Sequence, residues 1–167
     1  MTANLATFVD RYTMKHVRIY PHPVDRVWDA ITDPKWTQKY AYRSRQEVEP
    51  RVGGTFKAFA NEGMLAVGLP EVIIDGEVIE YDPPRKLVHT WHSYFSDELI
   101  AEPPTRITYE LSEAGGFTRL TLVHELEGAP HHAEMVASQW SEGAGGGWSW
   151  VLSDLKSFLE TGSTLQS

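Results

Sequence analysis

The chain contains no cysteine. That absence removes disulfides, thiolate zinc sites, iron–sulfur clusters and thiol nucleophiles together. Long apolar runs are missing as well, and nothing approaches the roughly eighteen consecutive residues that a membrane-spanning helix needs. Basic residues are in the minority, 15 against 23 acidic, and the formal net charge of -8 repels phosphate backbones and anionic membrane surfaces. Neither nucleic acid nor a membrane is therefore an expected partner. Asp10 and Arg11 stand where a signal peptide keeps an uninterrupted apolar core, which points to a cytoplasmic protein. The sequence also has no G-x-S-x-G elbow, no Walker loop and no dinucleotide fingerprint, so no cofactor is expected.

What is present suffices for one sizeable core, with 167 residues of which 41% are hydrophobic. Residues 1–13 lack a clear period and read as an N-terminal arm, 14–162 as a single domain and 163–167 as a tail. The best helix is the last. From Trp148 the apolar residues fall at Val151, Leu152, Leu155 and Leu159, one face of a helix, with Ser153, Asp154, Lys156 and Ser157 on the other and Gly162 as a natural stop. Such a stripe needs a partner surface, and the upstream chain supplies strands.

The first strand, Met14 to Tyr20, places Val17 and Ile19 on one face and His16, Arg18 and Tyr20 on the other. Pro23 opens a helix with Val24, Val27, Trp28 and Ile31 on one stripe. Pro34 separates it from a second short helix, Lys35 to Tyr40. Further strands are expected over Arg43 to Glu49, Thr55 to Ala60, Glu71 to Tyr81 with an irregularity at Gly76, Lys86 to Phe95, Thr105 to Glu113 and Phe117 to Glu127. Asn61 to Pro70 and Ser96 to Pro104 read as loops. His131 to Glu142 is moderately helical, and glycines crowd residues 143–147 before the last helix.

Strings within this order resemble one family. They are Val27-Trp28-Asp29-Ala30-Ile31-Thr32-Asp33-Pro34, Val52-Gly53-Gly54-Thr55-Phe56, the run from Gly76 to Trp91, Thr118 to Glu125, and Gly147-Trp148 with its helix. Together they resemble the START-like superfamily, in the branch named after the activator of the heat-shock protein ninety ATPase, over residues 14–161. The resemblance implies an α+β helix-grip fold. In it a curved antiparallel sheet of six to seven strands wraps a long C-terminal helix, with two short helices after strand one. The superfamily includes lipid and sterol carriers, hormone receptors, polyketide cyclases and aromatases, so function must come from the site. Two stretches depart from the family pattern, Asn61 to Pro70 and the glycine run, both where a cavity mouth is expected.

Six residues are expected to line that cavity: Trp91, Tyr109, Leu122, His124, Trp148 and Leu152. His124 alternates in phase with Leu120 and Leu122 and so faces inward, as a satisfied buried histidine or as a ligand contact. The expected function is binding of a small apolar or aromatic ligand between sheet and last helix. One alternative is a cyclase, aromatase or hydro-lyase that moves protons with His124 or Tyr109. Another is a chaperone-interacting module. The missing catalytic signatures favour binding over catalysis, and exposed strand edges leave room for a homodimer. No metal is expected, because His89 and His92 point to opposite faces of a strand and His131-His132 lacks a third ligand and reads as surface. Arg43 and Arg45 share one strand face, a pattern that could bind a carboxylate but is read first as a solvated edge.

Overall fold

The computed structural model describes residues 12–137 and 147–165. The N-terminal arm up to residue 11, the glycines before Gly147 and the last two residues lie outside the described residues. The described chain runs β1 (Thr13–Tyr20), α1 (Val24–Thr32), α2 (Pro34–Thr37), β2 (Gln46–Val48), β3 (Thr55–Phe59), α3 (Glu62–Ala66), β4 (Val72–Asp82), β5 (Lys86–Ser93), α4 (Asp97–Ala101), β6 (Thr105–Ala114), β7 (Phe117–Glu125), α5 (Pro130–Ala137) and α6 (Gly147–Thr161). The seven strands form one antiparallel sheet in the order β1-β7-β6-β5-β4-β3-β2. This is the helix-grip arrangement, with α6 as the gripped helix.

Local chemistry explains most of the boundaries. Gly115 and Gly116 both take left-handed angles, φ 61° and 82°, which match the twist of the β6–β7 hairpin. Pro34 starts α2, and the Asp33 side chain caps it by accepting from the Lys35 amide at 2.9 Å. In β4 a side chain on Gly76 would overlap the Thr90 carbonyl of β5. Pairing there runs from Ile74–Asp75 against Ser93–His92, resumes at Val78 against His89, and then shifts by one residue. The glycine thus lets two backbones approach where a Cβ could not fit.

The core lies between the sheet and the helices. Leu152, Leu155 and Leu159 of α6 are buried in it, each contributing about 1.5–3 kcal/mol. The hydroxyl of Tyr20, wholly buried on β1, donates to the Leu152 carbonyl at 3.1 Å and so fixes α6 against the far edge of the sheet. Gly162, at φ 75°, ends the helix by donating to the Phe158 carbonyl. On β1 the polar-looking face is the inner one: Met14, His16 and Tyr20 are buried, whereas Val17 and Ile19 are exposed.

Several sequence expectations need correction. The strand expected over Arg43 to Glu49 is only Gln46–Val48, because Ala41 and Arg43 turn the chain at φ 53° and 55°. Arg43 and Arg45 therefore do not share a strand face. The second helix ends at Thr37 rather than Tyr40. Both expected loops contain one helical turn. Asn61 caps α3 through the Met64 amide, and Ser96 caps α4 through the Leu99 amide. Asp154, placed by periodicity on the solvent side of the last helix, is 1% exposed. Its two carboxylate oxygens accept the amides of Ala41 and Leu165, each at 2.6 Å, and this pairing outweighs the cost of burial. His132, read as surface, is fully buried, while its neighbour His131 is exposed.

Candidate functional site

A cavity of about 570 Å³ opens between the β3–β5 part of the sheet, α3, α5 and the first turn of α6. Its wall has two sides of different character. The larger side is apolar, with Met64, Leu69, Ile73, Ile74, Trp91, Phe95, Met135, Val136, Trp148 and Val151. The other is a continuous stretch from the turn before β2, Tyr40-Ala41-Tyr42-Arg43-Ser44, joined by Thr37, Gln46 and Asn61. That size and a mainly apolar wall with few polar groups are what a small-molecule site requires.

The turn on the polar side is fastened at nearly every residue. The Tyr40 hydroxyl donates to the Ala30 carbonyl at 2.7 Å, and the Ala41 amide donates to Asp154. Asn61 donates to the Tyr42 carbonyl at 2.9 Å, the Arg43 amide to the Tyr40 carbonyl at 2.9 Å, and Ser44 Oγ to the Phe59 carbonyl at 2.8 Å. Partial burial raises the Tyr42 phenol above its ordinary range, and the nearby backbone of Gly147 opposes that rise. Two non-glycine residues in the left-handed region are unusual so close together, and this set of bonds is what holds them there.

On the opposite side, Gly147 makes the wall possible. A Cβ there would overlap the Val136 carbonyl of α5, and φ is 58°, so glycine alone lets α6 begin against α5. The next residue, Trp148, then reaches over His124. The Thr105 hydroxyl donates to the Trp91 carbonyl at 2.7 Å, so its oxygen accepts from His124 Nε2–H, also at 2.7 Å. That leaves Nδ1 as an acceptor, and the Trp148 indole N–H fills it at 3.0 Å. One tautomer satisfies all three bonds. Burial, with His89 and His132 nearby adding to it, holds the His124 imidazole well below its ordinary pKa and hence neutral.

A second polar cluster positions α5. Glu102 accepts from the amides and the Nδ1 atoms of both His131 and His132, at 2.7–3.1 Å. Burial acts to raise the Glu102 carboxyl, but these four bonds outweigh it and hold the group below its usual range. With Nδ1 donating to Glu102, His132 Nε2 accepts the Ser93 amide of β5 at 3.0 Å. The first turn of α5 is therefore tied to the sheet, which sets Met135 and Val136 in the cavity wall.

Of the six residues expected at the cavity, Trp91 and Trp148 line it. Tyr109, Leu122, His124 and Leu152 belong to the buried core next to it. Tyr109 meets Trp148 edge to face, with ring centroids 6.5 Å apart, and His124 meets Trp91 in the same way at 5.1 Å. The tryptophans thus form the wall that the other four support. Sequence periodicity had no means of finding residues 40–44, since their place depends on left-handed angles and on Asp154, more than a hundred positions away. No group of three or more metal-binding side chains occurs among the described residues.

Comparison with known proteins places this geometry. Residues 21–160 match the family described as Activator of Hsp90 ATPase homolog 1-like protein. The chain belongs to that family. No curated protein matches it. Among solved structures it is similar to CalU16 from Micromonospora echinospora, at 25% identity over 90% of this chain and 77% of that one, with a TM-score of 0.61. DynU16, from the dynemicin biosynthetic locus, shares the fold at 22% identity and a TM-score of 0.66. The match covers 93% of this chain and 49% of DynU16, so this chain spans about half of that protein. PFC0360w of Plasmodium falciparum, an Hsp90 activator, shares it at 24% identity over 92% and 91% of the two chains, with a TM-score of 0.53. Within the Hsp90-activator-like family match fall α1 to α5 and nearly all of α6, and with them every described cavity residue. The family thus accounts for the scaffold, while the wall is described by this chain's own residues.

Proposed function

We propose that the protein binds a small, mainly apolar or aromatic molecule in the cavity between the sheet, α5 and the start of α6. The observation that carries this reading is the cavity itself, about 570 Å³ with two tryptophans, two methionines and a phenylalanine on its wall. Its rim is fastened by hydrogen bonds before any ligand arrives, which lowers the ordering cost of binding.

Binding is favoured over catalysis by the state of the two proton carriers considered. Both ring nitrogens of His124 are occupied by Thr105 and Trp148, and the Tyr109 phenol is pushed up by burial. Neither side chain is among the described lining residues. A group that moves a substrate proton must reach it within hydrogen-bond distance. A chaperone contact has less support, because the likeness to PFC0360w speaks for the fold alone.

Titration with the neutral fluorophore phenyl-naphthylamine tests the reading. Saturable binding at one site per chain is expected. Val151→Trp, which fills the cavity from a half-buried position on α6, should abolish it while leaving the far-ultraviolet spectrum intact. Absence of saturable binding to the unaltered protein, or binding that survives the filled cavity, counts against the proposal.

A further inference from the structure

Trp91 lines the cavity from β5 and is only 6% exposed, yet no group among the described residues accepts its indole N–H. The reason lies in its neighbours, whose acceptors are all in use. The ring stands nearly perpendicular to those of His124 and His132, with centroids 5.1 Å and 5.9 Å away. His124 takes the Trp148 indole on Nδ1 and donates from Nε2 to Thr105. His132 donates from Nδ1 to Glu102 and takes the Ser93 amide on Nε2. Even the Trp91 carbonyl is occupied, by the Thr105 hydroxyl.

Among the described residues, the one fully enclosed side-chain nitrogen or oxygen without a partner is His16 Nε2. Trp91 Nε1 is not enclosed in this way, so its N–H stands open to the cavity that the ring lines. The other tryptophan of the wall differs, since the Trp148 N–H is spent on His124. Further polar side chains are committed to backbone: Tyr40 donates to Ala30, Ser44 donates to Phe59, and Asn61 serves both Met64 and Tyr42. Gln46 keeps its side-chain amide unbonded among the described residues, but it is half-buried on the edge strand β2, where solvent can serve it. Trp91 is therefore the wall's deeply buried donor without an acceptor.

We infer that the cavity takes a molecule whose apolar body carries an uncharged oxygen acceptor, of the aromatic-ketone kind, and that the Trp91 indole N–H receives that oxygen. This rests on the ligand-binding reading above and narrows it to a chemical class. A donor so far from water is costly to leave unpaired, and an acceptor brought by the ligand recovers that cost. The indole only donates, so it selects for a lone pair and against a group that can only donate, such as an ammonium. Trp148, its ring centroid 6.1 Å from that of Trp91, adds apolar surface beside the donor, where a hydrogen bond is stronger than in water.

Fluorenone and fluorene are one ring system with and without a carbonyl oxygen, and the affinity of each is read by displacement of phenyl-naphthylamine. Trp91→Phe keeps an aromatic ring and removes the donor. It should lower the ratio of fluorenone to fluorene affinity about tenfold, the scale of one buried hydrogen bond, while fluorene binds as before. In the unaltered protein the carbonyl stretch of bound fluorenone should lie at lower wavenumber than in an alkane, a readout that needs no variant to fold, and the shift should vanish in Trp91→Phe. A ratio unchanged by Trp91→Phe, a stretch at its alkane position, or no displacement by fluorenone where phenyl-naphthylamine itself binds would overturn the assignment of Trp91 and leave ligand binding in place. Failure of phenyl-naphthylamine to bind the unaltered protein, together with failure of both ring systems, would remove both readings.

Discussion

The indole nitrogen of Trp148 donates to Nδ1 of His124 across 3.0 Å, joining the first turn of α6 to β7. His124 is completely buried and its other nitrogen is already bonded to Thr105, so Trp148 supplies the one remaining partner. The same tryptophan faces the cavity, and the bond therefore couples the wall to the core.

Trp148→Phe keeps most of the ring and removes the donor. A buried acceptor left without its partner costs about 1–3 kcal/mol, and urea denaturation should show a loss of that size. A loss below about 0.5 kcal/mol would mean that the bond contributes nothing to the native state.

Acidification should destabilise the protein through its buried histidines. Burial, then Arg18, lowers His16 to about 4, and burial lowers His89 to about 4 against the opposing bond from Thr90. Between the ordinary histidine value of 6.5 and about 4, the unfolded imidazoles bind protons that the native ones refuse. Stability is therefore complete above that window and falls as pH drops through it. Below about 4 the native His16 and His89 protonate too and the slope from those two ends. Urea midpoints at about pH 7.5 and about pH 5 should differ, with the lower midpoint in acid, and His16→Gln should reduce the difference. Equal midpoints would contradict the burial of neutral imidazoles.

Gly147→Ala and Gly162→Ala make a matched pair. Both glycines have positive φ, 58° and 75°, so both alanines carry a backbone strain of about 1–2 kcal/mol. Around Gly162 the added methyl meets nothing within 4 Å, whereas at Gly147 it meets the Val136 carbonyl. The Gly147 variant should lose clearly more stability, and also its affinity for the neutral probe, because α5 and α6 must part. Equal losses would show that the close approach of the two helices is not needed.

Asp154→Ala removes the anchor of the turn at residues 40–44. The Ala41 amide loses its partner, at a cost of about 1–3 kcal/mol, and the rim should loosen. Probe affinity is expected to fall together with stability. Ser157→Ala, on the same helix as Asp154, removes one exposed bond to the Ser163 carbonyl beyond the helix end and should stay within about 0.5 kcal/mol and bind normally. Normal binding by Asp154→Ala would show that the turn holds its shape without α6.

The architecture could be read from the sequence wherever a period or a turn residue carried it. The stripe Leu152, Leu155 and Leu159, the stop at Gly162, the Gly115-Gly116 hairpin and the proline that separates α1 from α2 are local signals, each settled within a few residues. The same holds for Trp91 and Trp148, whose size and phase mark them as inward. What only the tertiary structure decided is which neighbour each inward side chain meets. A helical period puts Asp154 on the polar side of α6, yet two distant amides bring it inside. Dipeptide composition puts His131 and His132 together on the surface, yet Glu102 and Ser93 draw one of them into the core. Arg43 reads as the edge of a strand until the left-handed turn carries it to the cavity rim. Periodicity reports the balance between water and core, a property of each residue alone. Hydrogen-bond pairing between residues far apart in the chain is a property of two, and it comes into being only when the fold brings them together.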